Sequence, residues 1–344
     1  MPDEFLSDFV ALNRRLGGDP LLSQGSGGNT SVKIDSRTIR VKATGVPLKD
    51  VSETRGWVDM DLEKLRDGVD KLWGLTGAER QQRAYRDLLA KAQKTPIPRV
   101  SIETNLHVLL ADRWVAHVHS LGGQLLGLLP GEEARTLVLE TLGSGAEVRF
   151  APPATPGYEL GRAVAEELKK NLRPPAAEKS VRLWILQNHG LAWGATDIQS
   201  VFAASDRLEE FLRRRFELRR FPPAASRPAT PAEAPGPAPA GKFWARLEFP
   251  WPRCRFDDRA FFPDFAGHFH GDPGANLVVR DERVAYFLTG DGDREGREEV
   301  LFAQALISTV AHERGCHRPM SSEAVRLIQD FVLEKPAAGG TRAY

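Results

Sequence analysis

Apolar positions recur along this chain with two different periods. Phe5, Leu6, Phe9, Val10, Leu12 and Leu16 follow a helical stripe that stops at Gly17-Gly18, which predicts an opening amphipathic helix. Residues 31–43 (SVKIDSRTIRVKA) alternate instead and break at Asp35-Ser36-Arg37, the pattern of a β-hairpin. Residues 77–93 predict a polar helix in which few apolar positions recur, hence an exposed insertion. A short helix is expected over 103–111 (ETNLHVLLA), behind the breakers Pro96 and Pro98. Trp114 to His119 and Val181 to Gln187 read as strands that close on polar residues. Ile198, Val201, Phe202, Leu208, Phe211 and Leu212 make a long amphipathic helix. Helices and strands mixed with hairpins predict an α/β sandwich of layers, not a strict βαβ repeat.

The pattern then fails over residues 222–241, PPAASRPATPAEAPGPAPAG, where seven of twenty positions are Pro and seven Ala. Proline without a period does not fit a packed element, so an extended linker of up to about 60 Å is expected. This divides the chain into a front domain (1–221), a Pro/Ala-rich linker (222–241) and a smaller C-terminal α+β domain (242–344) of unknown role. In the last, Asn276 to Val279 and Val284 to Leu288 read as a hairpin turning at Asp281-Glu282-Arg283. A helix over about 296–314 follows, and another starts at the cap Ser321-Ser322-Glu323. The two halves show no internal repeat.

Composition narrows the function classes. The 344 residues include 41% hydrophobic side chains, enough for a sizeable core, and their length suggests two domains. Lys+Arg 47 against Asp+Glu 46 leaves a net charge of +1, which gives no wide cationic face for nucleic acid or anionic membrane. No apolar run approaches a bilayer span. The start, MPDEFLSDFV, is acidic where a secretory signal is basic, so a cytoplasmic protein is expected. Cys254 and Cys316 are far apart, against a disulfide scaffold or a cysteine zinc site. The expected partner is a small molecule.

Candidate chemistry concentrates in the front half. His117 and His119 lie two apart on a strand, so they point to one face about 6.6 Å apart and can converge on one metal ion. His189, just past the second strand and before Gly190, is a candidate third ligand; ordinary half-buried histidines would give the same pattern. His268 and His270 form a second HxH without an evident third ligand. The segment GSGGNTS (25–31) is neither a dinucleotide fingerprint nor a P-loop. Its backbone N–H groups, with Asn29 and Thr30, could cradle an anion, or the segment could be a plain turn. Glu103, near the start of its short helix, either complements the helix dipole or serves as a general base. Arg213, Arg214, Arg215, Arg219 and Arg220, interleaved with glutamates, read as a solvated helix end.

In order, QGSGGNTSVK (24–33), KATGVPLKDV (42–51), SIETNLH (101–107), AHVHS (116–120) and LQNHGLAWG (186–194) resemble the class II aldolase/adducin family, typified by bacterial fuculose-1-phosphate aldolases. APPATPGYEL (151–160) is similar to the stretch between that family's histidine motifs. The resemblance covers roughly residues 5–218. It implies a three-layer α/β/α sandwich with a central mixed β-sheet. It further implies His117, His119 and His189 as ligands of a divalent ion, most simply Zn2+, with Glu103 as the catalytic carboxylate. Asn29, Thr44, Gly45 and Ser101 match the family's phosphate-gripping positions. Where the family usually has a second serine before the glutamate, this chain has Ile102, which removes one hydroxyl donor. The implied activity is carbon–carbon bond cleavage or formation in a ketose, sugar phosphate or related hydroxy-carbonyl compound through a metal-stabilised enediolate, by a homo-oligomer and most simply a tetramer. Epimerases, dehydratases and decarboxylases share this chemistry, and an adducin-like assembly module is the non-catalytic alternative.

Overall fold

The structure, a computed structural model, describes residues 4–326 except 96–97, 144, 171–180, 219–225, 251–255, 257–258, 261, 263–264, 266–268, 270–275, 291, 293, 314, 316–318, 321 and 323–324. The expected second HxH, the two cysteines and most of the helix beginning near Ser321 lie outside the described residues.

The predicted first helix is α1 (Leu6–Gly17), and the hairpin is β1 (Asn29–Lys33) and β2 (Thr38–Lys42). There follow β3 (Trp57–Asp61), α2 (Leu62–Leu72), α3 (Ala78–Ala92), α4 (Thr104–Leu109) and β4 (Trp114–Val118). Next come α5 (Leu121–Leu128), α6 (Gly131–Leu142), β5 (Ala146–Ala151) and α7 (Tyr158–Lys170). The hairpin of β6 (Val181–Leu186) and β7 (Gly190–Ala195) and the long α8 (Ile198–Arg215) complete this unit. The seven strands form one sheet in the order β3-β2-β1-β4-β7-β6-β5, antiparallel except for β5 with β6.

Strand alternation sorts side chains into two cores. Val32, Trp114, Ala116, Val118, Leu183, Ile185, Leu191 and Trp193 point to the face covered by α1, α5, α6 and α8. Val115, Trp184, Leu186 and Ala192 point to the other face, against α4 and α7, while Ile39, Val41, Val58 and Met60 meet α2 and α3. The result is the expected three-layer α/β/α sandwich on a mixed sheet. No helix among the described residues is long and apolar enough to cross a membrane.

Two expectations require correction. Helix α3 is not an exposed insertion: Tyr85, Leu89 and Ala92 are buried in the core beneath β2 and β3. Their spacing of four and three residues is a stripe one residue wide, too narrow for an apolar count to register. The Pro/Ala-rich stretch, where described, is not a free spacer. Arg227–Pro228 (β8) pairs with β9 (Phe243–Glu248), which continues into β11 (Val284–Thr289) and β10 (Leu277–Arg280) of a second, four-stranded sheet. Ala229 and Ala234 pack on its outer face with Trp244, Tyr286 and Leu288. Thr230 and Glu233 close a small turn, since the Thr230 N–H donates to Glu233 Oε2 at 2.9 Å and Arg227 grips the same carboxylate at 2.6 and 2.8 Å. Proline is tolerated there because an edge position needs no N–H from it.

The predicted second hairpin is β10 and β11, with Asp281 and Glu282 at positive φ in its turn, and the predicted helix is α9 (Arg294–Glu313). Helix α9 covers the inner face of the second sheet and packs against α5, so Val300, Leu301 and Ile307 share one core with Leu121 and Leu125.

Candidate metal centre

Three chain turns bring the candidate side chains together at one end of the central sheet. His117 is the last residue but one of β4, opposite Asn29 of β1. His119 lies just beyond β4, where Ser120 caps α5 by accepting from Gly123 N–H at 3.1 Å and Gln124 Nε2 donates to His119 O at 2.7 Å. His189 occupies the β6–β7 turn, with Asn188 at φ 55° and Gly190 at φ 150°. A Cβ on Gly190 would stand 2.2 Å from Val118 O, so only glycine lets this turn press onto the end of β4. That approach delivers the third imidazole.

The three Nε2 atoms form a triangle with edges of 3.2, 3.2 and 3.1 Å. Nitrogens bonded at about 2.0–2.1 Å around a tetrahedral ion stand about 3.3–3.4 Å apart, so the triangle fits one ion to within a few tenths of an ångström. Glu103 completes the set, with Oε1 2.6 Å from His189 Nε2 and Oε2 3.5 Å from His117 Nε2. The four ligand atoms all lie within 4.8 Å of one another, and all four residues are buried. His117 Nδ1 meets the Leu191 carbonyl at 2.9 Å, which fixes a proton on Nδ1 and leaves Nε2 as a lone pair facing the centre.

The electrostatics agree with a cation site. Burial pushes the His189 imidazole down to about 4, against the opposing pull of Glu103, so it is neutral and able to ligate at pH 7. Burial alone would disfavour the Glu103 charge, but His189 and His117 outweigh it and hold the carboxyl well below the usual carboxylate range. Glu103 Oε1 is buried without a hydrogen-bond donor. Imidazole nitrogens and an orphaned carboxylate oxygen facing one another are costly to bury unless a cation is shared among them. Nitrogen and oxygen donors in this number suit zinc or a similar divalent ion.

Glu103 occupies the N-cap position of α4, yet its side chain caps nothing. The dipole-complementing alternative is therefore not what orients this carboxylate. Asn29 Nδ2 donates to Glu103 Oε2 at 3.0 Å and lies 3.1 Å from Ser101 Oγ, so Asn29, Ser101 and Glu103 form one buried network. Thr44 and Gly45 are in the neighbouring loop, where Thr44 N–H donates to Arg99 O at 2.9 Å and Ala43 bridges Val100; this loop flanks Ser101.

Several supporting residues escaped sequence reasoning. His107, fully buried, places Nε2 on Asn29 Oδ1 and Nδ1 2.8 Å from Ser31 Oγ, which settles which way the Asn29 amide points. Burial holds this imidazole neutral, well below its ordinary value. Its spacing of four from Glu103 on one short helix was the available signal. Tyr85 of α3 donates from its hydroxyl to Ile102 O at 2.6 Å and accepts from Asn105 N–H at 3.1 Å, bracing the turn that carries Ser101 and Glu103.

Three histidines and one carboxylate, all buried, thus converge at one end of the mixed sheet and could hold a metal ion. Residues 7–215 match the family described as Class II Aldolase and Adducin N-terminal domain, and the chain belongs to that family. One curated relative, the uncharacterized oxidoreductase YuxG of Bacillus subtilis (strain 168), is 24% identical over 204 residues, 56% of this chain and 27% of the relative. The chain thus spans about a quarter of that relative's length. Among solved structures, the N-terminal class II aldolase domain of a conserved protein from Thermoplasma acidophilum is 25% identical with a TM-score of 0.48, covering 62% of this chain and 96% of that one. An L-fuculose 1-phosphate aldolase is 17% identical with a TM-score of 0.41, covering 64% and 92%.

Proposed function

We propose that this protein is a divalent-metal-dependent aldolase that reversibly breaks a carbon–carbon bond next to the carbonyl of a hydroxy-carbonyl compound. The observation that carries the reading is the Nε2 triangle of His117, His119 and His189 with a Glu103 oxygen lacking any donor. His117, His119 and His189 would hold the ion, with zinc as the simplest choice for this donor set. When bound, such an ion supplies Lewis-acid polarisation of a substrate carbonyl.

The remaining chemistry belongs to the chain. Glu103 Oε2 is engaged by Asn29 Nδ2, which leaves Oε1 as the oxygen able to take and return a proton. Asn29, held by His107, and Ser101 offer polar groups that orient the substrate, and the Thr44-Gly45 loop extends that surface. Burial of the histidine and carboxylate set keeps bulk water from competing for the proton. The catalytic unit in this reading is 1–221, acting within a homo-oligomer, and the second unit takes in 242–344 together with the Arg227–Pro228 strand of the Pro/Ala-rich stretch. The test is metal analysis of purified protein followed by a screen for aldehyde release from hydroxy-ketones. One ion per chain and metal-dependent release support the reading; a chain that binds no ion at the three histidines sinks it.

A further inference from the structure

The family match ends at Arg215, yet the glycine-rich loop leading into Asn29 is touched from beyond it. Gly25 N–H donates to Glu299 Oε2 of α9 at 2.9 Å. Beside the loop, Lys49 Nζ donates to Glu295 Oε1 at 2.9 Å and stands 3.9 Å from Glu299 Oε1. Gly296 makes the approach possible, because a Cβ there would meet the Gly25 Cα at 3.3 Å. At its far end the same loop rests on the metal-bearing strand: Gly28, at φ 73°, is placed so that a Cβ would lie 2.9 Å from His117 O. Four residues therefore connect the α9 carboxylates to the backbone of a proposed metal ligand.

A backbone N–H in a glycine-rich loop and a nearby ammonium are the groups with which an external phosphate would be held. Here both already face carboxylates of the same chain. We propose that Glu299 is a specificity-determining residue, which fills the outer anion-accepting part of the loop (Gly25 N–H and the Lys49 ammonium) so that the centre takes hydroxy-carbonyl substrates carrying no phosphate. This deepens the function proposed above and rests on it. A phosphate dianion arriving at the loop would have to displace Glu299 or lie beside two carboxylates.

The test uses the full chain and inorganic phosphate as the probe, read by calorimetric titration and by the phosphate-dependent rise in melting temperature. Glu299→Gln keeps an acceptor for Gly25 N–H and removes only the charge. The double variant Glu295→Ala/Glu299→Ala frees both Gly25 N–H and Lys49. The natural protein should bind phosphate weakly, Glu299→Gln several-fold more tightly because one like charge is gone, and the double variant about tenfold more tightly or better, since it also frees Gly25 N–H and Lys49 for charge-assisted contacts of that order. Metal stoichiometry should stay unchanged in both. Folded variants with no gain in phosphate affinity would overturn the assignment. So would a natural protein that already binds phosphate tightly and loses it in Glu299→Gln. Loss of metal binding in the natural protein would sink the aldolase reading instead, and the phosphate titration would still report on Glu299.

Discussion

The same strands carry a buried polar cluster at each of their ends, and the two clusters differ in kind. Asn29, His117 and His189 mark one end of β1, β4 and the β6–β7 hairpin; Lys33, Asp112 and Arg182 mark the other. At the second end, Lys33 Nζ donates to the carbonyls of His107, Leu110 and Asp112 at 3.0, 2.7 and 2.6 Å. Asp112 and Arg182 form an ion pair. Each charge there faces an opposite charge or a partial negative, so the cluster closes on itself in charge, although Asp112 Oδ2 and Arg182 Nε make no hydrogen bond. At the first end, imidazole lone pairs and a carboxylate face one another, which only a proton or a cation can reconcile. What separates the two ends is that at the first several ligand-type atoms converge on one point, within 4.8 Å of one another.

The largest effects should appear where the comparison is sharpest. His117→Ala, His119→Ala and His189→Ala should each leave a folded chain whose divalent-metal affinity falls by at least about 100-fold, checked by titration and circular dichroism, because one of few ligands is lost. Next, Glu103→Gln should retain the metal but lower turnover by about 10²–10⁴-fold, since an amide cannot accept the proton; steady-state rates and metal content on the same variant decide. Unchanged turnover would reduce Glu103 to a structural carboxylate.

At the closed end the reverse is expected. Lys33→Met should leave metal affinity unchanged but lower stability by about 1–3 kcal/mol in urea unfolding, because three buried carbonyls lose their donor. A loss of metal binding comparable to that of the histidine variants would erase the distinction between the two ends.

The smallest effect concerns a buried carboxylate of α8. Glu209 of α8 is pushed up to about 8, chiefly by burial and against the pull of Arg213, and it hydrogen-bonds Ser120, the residue after His119. A folded value above the ordinary carboxylate range means the folded chain holds more protons between about pH 4.5 and 8. Stability contributed there is full at the acid end and lost as the pH rises through 8. Glu209→Gln, which cannot ionise, should flatten that slope and raise the melting temperature most near pH 8. An unaltered slope would show that Arg213 keeps Glu209 charged.

The sequence showed this organisation unevenly. His117, His119 and His189 were readable because a strand period and a Gly-bounded turn are local patterns, and the order of motifs pointed to the family. What could not be read was which loop presses on which strand end: the contact of Gly190 with Val118 of β4 joins residues 72 apart, and no local period encodes it. Tyr85 and His107 were missed for a related reason, since each matters through hydrogen bonds formed only in the folded chain. The Pro/Ala stretch misled because composition reports what a segment cannot nucleate, not whether an existing sheet edge can accept it. Glu299 gave no signal at all, standing 274 residues from the glycine whose N–H it accepts.

The central claim, that the three histidines form a metal centre, is tested most directly by equilibrium dialysis of metal-stripped full-length protein against Zn2+, beside the His117→Ala, His119→Ala and His189→Ala variants. The account predicts one tightly held ion per chain in the natural protein and none held tightly in any variant. Equal binding in all four proteins, or tight binding that disappears only when His268 and His270 are replaced, would contradict it.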